Sequence, residues 1–193
     1  LSTARRELEL RTQDLQTREH NLASLSARLK SLEEFIASRE GYSDATRLVL
    51  EELPGNLGSV ADYIEVDQRY TLAVENCLDD LLQYVLVRHQ KDVLLGIKYV
   101  ETKNAGRCGF LVVSNDSSMD TFEPVPPAQS LTSLLKLVSI KKGPAKNTAQ
   151  QLLKHLWFAP SFEIAAKASH ITDDPIVTPE GTVFRSSVII QIG

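Results

Sequence analysis

The sequence is poor in the residues and patterns that carry chemistry on their own. Two cysteines, Cys77 and Cys108, among 193 residues exclude a disulfide scaffold and a four-cysteine zinc site. Nine Gly and eight Pro exclude collagen-like and low-complexity chains. There is no basic excess: 21 Lys+Arg against 25 Asp+Glu leave a net charge of −4, which argues against wholesale coating of nucleic acid. Apolar runs such as Val188 to Ile190 fall far short of the ~20 residues that span a bilayer. Arg5, Arg6 and Glu7 leave no apolar core for a signal peptide. What is present is a hydrophobic fraction of 42%, enough for a real core. The composition points to a soluble, cytoplasmic protein.

No catalytic constellation emerges. The sequence holds neither a G-x-x-x-x-G-K-[ST] phosphate loop nor an H-E-x-x-H zinc motif. His20, His89, His155 and His170 are scattered, without ligand spacing. Cys77 falls on the inner face of an expected helix and Cys108 beside an expected strand, so both read as small buried apolar groups. Asp79-Asp80 and Asp173-Asp174 are carboxylate pairs. Adjacent residues on a helix point about 100° apart, so the first pair reads as a solvated helix end and the second as a turn before Pro175. Gly55-Asn56-Leu57-Gly58 has the form of a G-X-X-G nucleic-acid clamp, but it lacks basic residues and precedes a strand, so a tight turn explains it. Lys136, Lys141, Lys142 and Lys146 form a basic cluster around the Gly143-Pro144 turn. They read either as a solvated face or as a local phosphate-contacting patch.

The first forty residues stand apart. Leu1, Leu8, Leu15, Leu22, Leu29 and Ile36 recur every seven residues, with Ala4, Arg11, Arg18, Leu25, Leu32 and Arg39 at the companion seam position. No Gly or Pro precedes Gly41, and seven Lys/Arg balance seven Asp/Glu. This heptad pattern predicts a coiled-coil segment over 1–40 with Leu8, Leu15, Leu22, Leu25, Leu29, Leu32 and Ile36 on its seam. The plainer alternative is an amphipathic helix lying on a globular domain. No second long heptad stretch follows, so a pairing helix must lie elsewhere.

The remaining residues predict a mixed α+β domain. Helices are expected at Asp44–Glu52 with Ser43 as cap, at 67–82, at Gln90–Lys103 with Val93, Leu94, Ile97 and Val100 facing inward, around 131–137, at 144–156 and at 162–169. Strands are expected at 59–66, 83–88, 106–113, 157–159 and 175–179, with a hairpin over 182–192. Pro124, Pro126 and Pro127 suggest a boundary between two lobes, roughly 43–122 and 123–193.

One series is specific in its order and spacing. After the Gly41-Tyr42-Ser43 break come Gly58-Ser59-Val60-Ala61-Asp62-Tyr63-Ile64-Glu65-Val66 and Tyr70 to Leu78, then Gln83 to Val87, Gly106-Arg107-Cys108-Gly109-Phe110-Leu111 and Ile176-Val177-Thr178-Pro179-Glu180-Gly181. From Gly41 to Gly193 the chain resembles the hinge of SMC (structural maintenance of chromosomes) proteins, most like the bacterial chromosome-segregation type, and the heptads resemble the adjoining arm. The resemblance implies a two-lobed hinge that dimerises, joins two coiled-coil arms and in several members contacts DNA. It implies a role in chromosome condensation and segregation near the nucleoid, and a returning arm helix that pairs within the same polypeptide. It implies no catalysis and no cofactor in this segment, with ATP and Mg confined to distant ATPase heads. The chain then reads as the middle of a longer protein. The expected dimer interface is Val183, Phe184, Arg185, Ser186, Ser187, Val188, Ile189, Ile190 and Gly193, with homodimerisation through exposed strand edges. The expected DNA contacts are Lys136, Lys141, Lys142 and Lys146. The family usually carries two glycine pairs near the end of its hinge; here Ser186-Ser187 stands near the first, and Gly193 alone remains for the second. The competing class is a small-molecule-binding or enzymatic α/β domain with a helical signalling arm.

Overall fold

A computed structural model describes residues 2–39, 41–113 and 124–192. Contacts divide the chain into two units, Leu1–Tyr42 and Ser43–Gly193.

The first unit is one helix, α1 (Ser2–Ser38), of 37 residues. At 1.5 Å per residue it is about 56 Å long. Arg39 adopts a φ of 50° just beyond it, and its guanidinium lies 5.3 Å from the Tyr42 ring centroid. The apolar residues of α1 are exposed: Leu15, Leu22, Leu25, Leu29 and Leu32 retain 53–68% of their surface. The leucines of this helix are thus left largely in contact with solvent.

The second unit begins with α2 (Asp44–Glu52), whose Thr46 N–H donates to the Ser43 hydroxyl at 3.2 Å. The expected strand over 59–66 is mostly a 3₁₀ turn at 61–63, leaving β1 (Ile64–Val66). The helix expected over 67–82 forms as a 3₁₀ turn at 68–70, α3 (Thr71–Leu78) and another 3₁₀ turn at 79–83. The break sits at Asp79, with φ 48° and ψ −128°, a region that costs a non-glycine residue about 1–3 kcal/mol. β2 (Val85–Val87), α4 (Gln90–Lys103) and β3 (Phe110–Val112) follow, and β2 pairs parallel with β3. This is a β-α-β crossover. The His89 N–H donates to Asp92 Oδ2 at 3.1 Å where α4 starts, and Asn104 ends it in the left-handed conformation.

Past Pro127, the helix expected near 131–137 is instead β4 (Thr132–Ser133) and a 3₁₀ turn at 134–136. The Leu135 N–H donates to the Ser133 hydroxyl at 3.3 Å, which favours a turn over a helix interior. A strand that the sequence patterning missed, β5 (Val138–Ile140), pairs antiparallel with β1. Its three residues are too few to show alternation. Then come α5 (Lys146–Lys154), β6 (Trp157–Phe158), α6 (Phe162–Ala168), β7 (Ile176–Val177), β8 (Val183–Phe184) and β9 (Ile190–Gln191). The sheet order is β4-β6-β7-β8-β9, with β6 and β7 parallel and the other pairs antiparallel. β6-α6-β7 repeats the β-α-β form of β2-α4-β3.

The core is contributed by both halves of this unit. Ala73, Val74, Cys77 and Leu78 of α3 pack with Leu134, Leu153, Val177 and Val183. Trp157, Ile176 and Phe184 pack on Ala165 and Ala168 of α6. Val49 and Leu53 of α2 pack on Val85 and Val87. Gly181, at φ 80°, lets its carbonyl accept from Asn76 Nδ2 at 2.9 Å; a Cβ there would come within 2.3 Å of that nitrogen. The β7–β8 turn is thereby held to α3.

Candidate functional site

The C-terminal hairpin places most of its apolar residues on the surface. β9 is the last strand of its sheet, and among the described residues its outer edge has no pairing strand. Val188, Ile189, Ile190 and Ile192 retain 86%, 56%, 49% and 79% of their surface. Phe184 faces Ile190 across the ladder, and the Arg185 N–H donates to the Ile189 carbonyl at 3.0 Å. Antiparallel rungs alternate, so the Ile190 N–H and C=O turn away from β8 toward the open edge. A short, exposed, apolar edge is a template for another strand.

The expected interface residues therefore separate. Val183 and Phe184 are buried in the chain's own core, where Phe184 also meets Phe162 edge-on at 5.1 Å. Arg185 donates from Nε to Gln191 Oε1 at 3.3 Å, bracing the two strands. Ser186 accepts at its hydroxyl from the Val188 and Ile189 N–H groups, at 3.2 and 3.3 Å, and so shapes the turn. Ser187, Val188, Ile189 and Ile190 are exposed. Gly193 lies outside the described residues.

A second apolar surface went unread in the sequence. Leu94, Leu95 and Ile97 of α4 and Val112 of β3 are exposed. Val93 and Val100 pack inward as expected, but Leu94 and Ile97 do not. The helix is displaced toward its sheet by Gly96, which is buried and stands where a Cβ would lie 2.5 Å from the Phe110 ring. A glycine inside a helical run was the available signal. β3 pairs with β2 alone among the described strands, so it too presents an open edge.

Lys136, Lys141, Lys142 and Lys146 are all exposed. They flank β5: Lys136 ends the preceding 3₁₀ turn, Lys141 and Lys142 follow the strand, and Lys146 opens α5. Lys141 Nζ lies 3.5 Å from Glu65 Oε1, an exposed pair of small energetic weight. Of the seam residues, Leu15, Leu22, Leu25, Leu29 and Leu32 are exposed along α1; the side chains of Leu8 and Ile36 lie outside the described residues.

Reactive chemistry is correspondingly muted. Burial pushes the Cys77 thiol from 9.0 up to about 12, with Arg185 acting weakly the other way. Burial also raises Cys108, against a hydrogen bond from Thr46 Oγ1 at 3.8 Å. Asp174 accepts from the Trp157 indole at 2.9 Å, so this carboxylate anchors the core. The G-x-x-G segment is a tight turn, with Asn56 Nδ2 bonded to the Leu50 and Leu53 carbonyls at 3.0 and 2.8 Å. A cleft of about 760 Å³ opens between α2, the 79–83 turn and the end of α4, lined by Asp44, Asp80, Glu101, Arg107, Tyr84 and Cys108 among others. Among the described residues no group of three or more His, Cys, Asp or Glu side chains could hold a metal, and no helix is long and apolar enough to cross a membrane.

Taken together, the chain combines a long helix with a mixed α/β body that holds two β-α-β units and, among the described strands, open edges at β3 and β9. A family model described as SMC proteins Flexible Hinge Domain matches residues 53–169, and the chain belongs to that family. The chromosome partition protein Smc of Myxococcus xanthus is 30% identical over 176 residues, covering 85% of this chain and 14% of that protein. The chromosome partition protein Smc of Halothermothrix orenii is 35% identical over 92 residues, 46% of this chain and 8% of that protein. The chain thus spans a small part of these relatives. Among solved structures, an asymmetric dimer of the Geobacillus stearothermophilus SMC hinge domain superposes with TM-score 0.75 at 22% identity, covering 87% of this chain and 72% of that one. The Pyrococcus furiosus SMC hinge domain superposes with TM-score 0.62 at 24% identity, covering 81% of this chain and 84% of that one. At these identities the superpositions establish the fold.

Proposed function

We propose that this chain is the dimerisation hinge, with part of one arm, of an SMC-type ATPase that acts in chromosome condensation and segregation in the cytoplasm, at the nucleoid. The observation that carries the reading is the open apolar edge of β9, on a chain of the hinge family. Two copies associate by adding strands across their free edges: β9 supplies one edge, and β3 with the exposed face of α4 supplies another. Val183 and Phe184 support the hairpin from beneath, while Ser187 to Ile190 and Ile192 make the contact. The two lobes, roughly 43–122 and 123–193, each contribute one β-α-β unit. The arm helix α1 pairs through its leucine seam with the returning arm of the same polypeptide. ATP and Mg belong to heads outside this segment, and the segment itself is non-catalytic.

DNA contact is a secondary role, carried by Lys136, Lys141, Lys142 and Lys146. On a chain of net charge −4 it is local. Binding of duplex DNA by the whole chain weakens as salt rises, and each lost phosphate contact lowers the slope of log K against log salt by about 0.9. The triple variant Lys141→Glu/Lys142→Glu/Lys146→Glu loses the binding; unchanged affinity and slope would remove this patch from the interface.

The competing small-molecule reading draws on the 760 Å³ cleft, a volume suited to a ligand. A cofactor or metabolite retained in stoichiometric amount by the purified protein would favour it.

A further inference from the structure

β9 is held without a core of its own. Val183 and Phe184 of β8 are buried, but every residue from Ser187 to Ile192 is exposed. None of those six joins a hydrophobic cluster of the described residues. A strand exposed on both faces has a weakly specified register, because a slip of one residue forfeits little burial. Yet the register decides what the open edge offers. In the observed pairing Phe184 faces Ile190, and the Ile190 N–H and C=O point away from β8. A slip of one residue would turn both groups back toward β8.

Polar side chains supply what packing does not. The Arg185 N–H donates to the Ile189 carbonyl at 3.0 Å. The Ile189 N–H does not complete that rung. It donates to the Ser186 hydroxyl at 3.3 Å, and the Val188 N–H donates to the same hydroxyl at 3.2 Å. Neither Ser186 nor Ser187 has a positive φ, so the bend requires an acceptor rather than a glycine. Arg185, half-buried, donates from Nε to Gln191 Oε1 at 3.3 Å. Gln191 lies opposite the buried Val183, so this diagonal bond ties β9 to the end of the strand that the core holds. A slipped register would turn Gln191 to the other face and change the length of the bend that Ser186 closes.

We propose that Arg185, Ser186 and Gln191 are positioning residues for self-association, a polar clasp that fixes the register of β9 and so presents the Ile190 edge to a second copy. The proposal rests on the β9-edge reading above and adds how this chain holds that edge in place. The three side chains act through β9 and not by contact with the second copy.

Sedimentation equilibrium of the whole 193-residue chain tests this. Arg185→Met/Ser186→Ala keeps a stem at each position and removes one donor and one acceptor. With near-native circular dichroism, its dimer is expected to be about five- to tenfold weaker, the scale of one or two net hydrogen bonds. Ser186→Thr keeps the hydroxyl and is expected to associate as the native chain does, whereas Ser186→Ala is not. If the double variant fails to fold, Gln191→Ala, at the exposed end of the clasp, carries the same expectation of a weaker dimer. Native affinity in these variants, or equal losses in Ser186→Ala and Ser186→Thr, would overturn the clasp and leave the edge reading intact where Ile190→Pro still dissociates the dimer. A monomeric native chain, or a dimer indifferent to Ile190→Pro, would overturn the edge reading and the clasp with it.

Discussion

Asp79 shows how much a single backbone angle can cost here. Its φ of 48° and ψ of −128° suit glycine, so Asp79→Gly is expected to stabilise the chain by about 1 kcal/mol, read as a higher urea midpoint at unchanged slope. Gly96 makes the opposite point. Gly96→Val drives a side chain toward the Phe110 ring, where even a Cβ would stand 2.5 Å away; a loss of about 1–3 kcal/mol is expected for such overpacking. Cys77 sets a pH limit. Its thiol pKa is raised from 9.0 to about 12 by burial, so the unfolded chain gives up this proton first as pH rises. The stability this group contributes is complete below pH 9 and is lost on the way to pH 12. A shift of that size corresponds to about 4 kcal/mol. Denaturation of the native chain and Cys77→Ala at several alkaline pH values is expected to show a steeper decline in the native chain; parallel curves would refute the assignment.

The elements with caps and two-sided patterning were legible, and those made by tertiary pairing were not. α2 and α4 have the bounds expected, with Ser43 read as the cap of α2, although Leu94 and Ile97 of α4 face outward. β5 went unread because three residues on a lysine-rich stretch carry no period, and its partner β1 lies far away in sequence. The region around 131–137 carries helix-compatible leucines, yet Leu134 is buried among residues of α3, α5, β7 and β8, and Ser133 turns the chain. Of the candidate interface, exposure at Val188 to Ile190 followed from the hairpin, whereas the burial of Val183 and Phe184 depends on α6 and α3. Ile190 offers a test at this scale. Its N–H faces the open edge, so Ile190→Pro is expected to remove an outward donor while leaving the β8–β9 rung at Arg185 and Ile189. Near-native circular dichroism and thermal midpoint, with weakened self-association, is the expected result.

For the molecule as a whole, the proposed hinge reading rests on the surface that the described residues leave exposed. Its exposed apolar surface is concentrated on α1, on β9 and its turn, and on α4 with β3, each of which calls for another polypeptide segment. Charges within the first forty residues cancel, so the net charge of −4 lies entirely beyond residue 40, and the DNA contact proposed for the lysines around β5 would be a local one. Sedimentation equilibrium of the chain at about 10–50 µM, a range that captures micromolar association, tests the hinge reading most directly. A dimer is expected that persists in Leu22→Glu/Leu25→Glu and dissociates in a folded Ile190→Pro chain. A monomer throughout this range, or a dimer indifferent to Ile190→Pro and lost with the arm leucines, would contradict it.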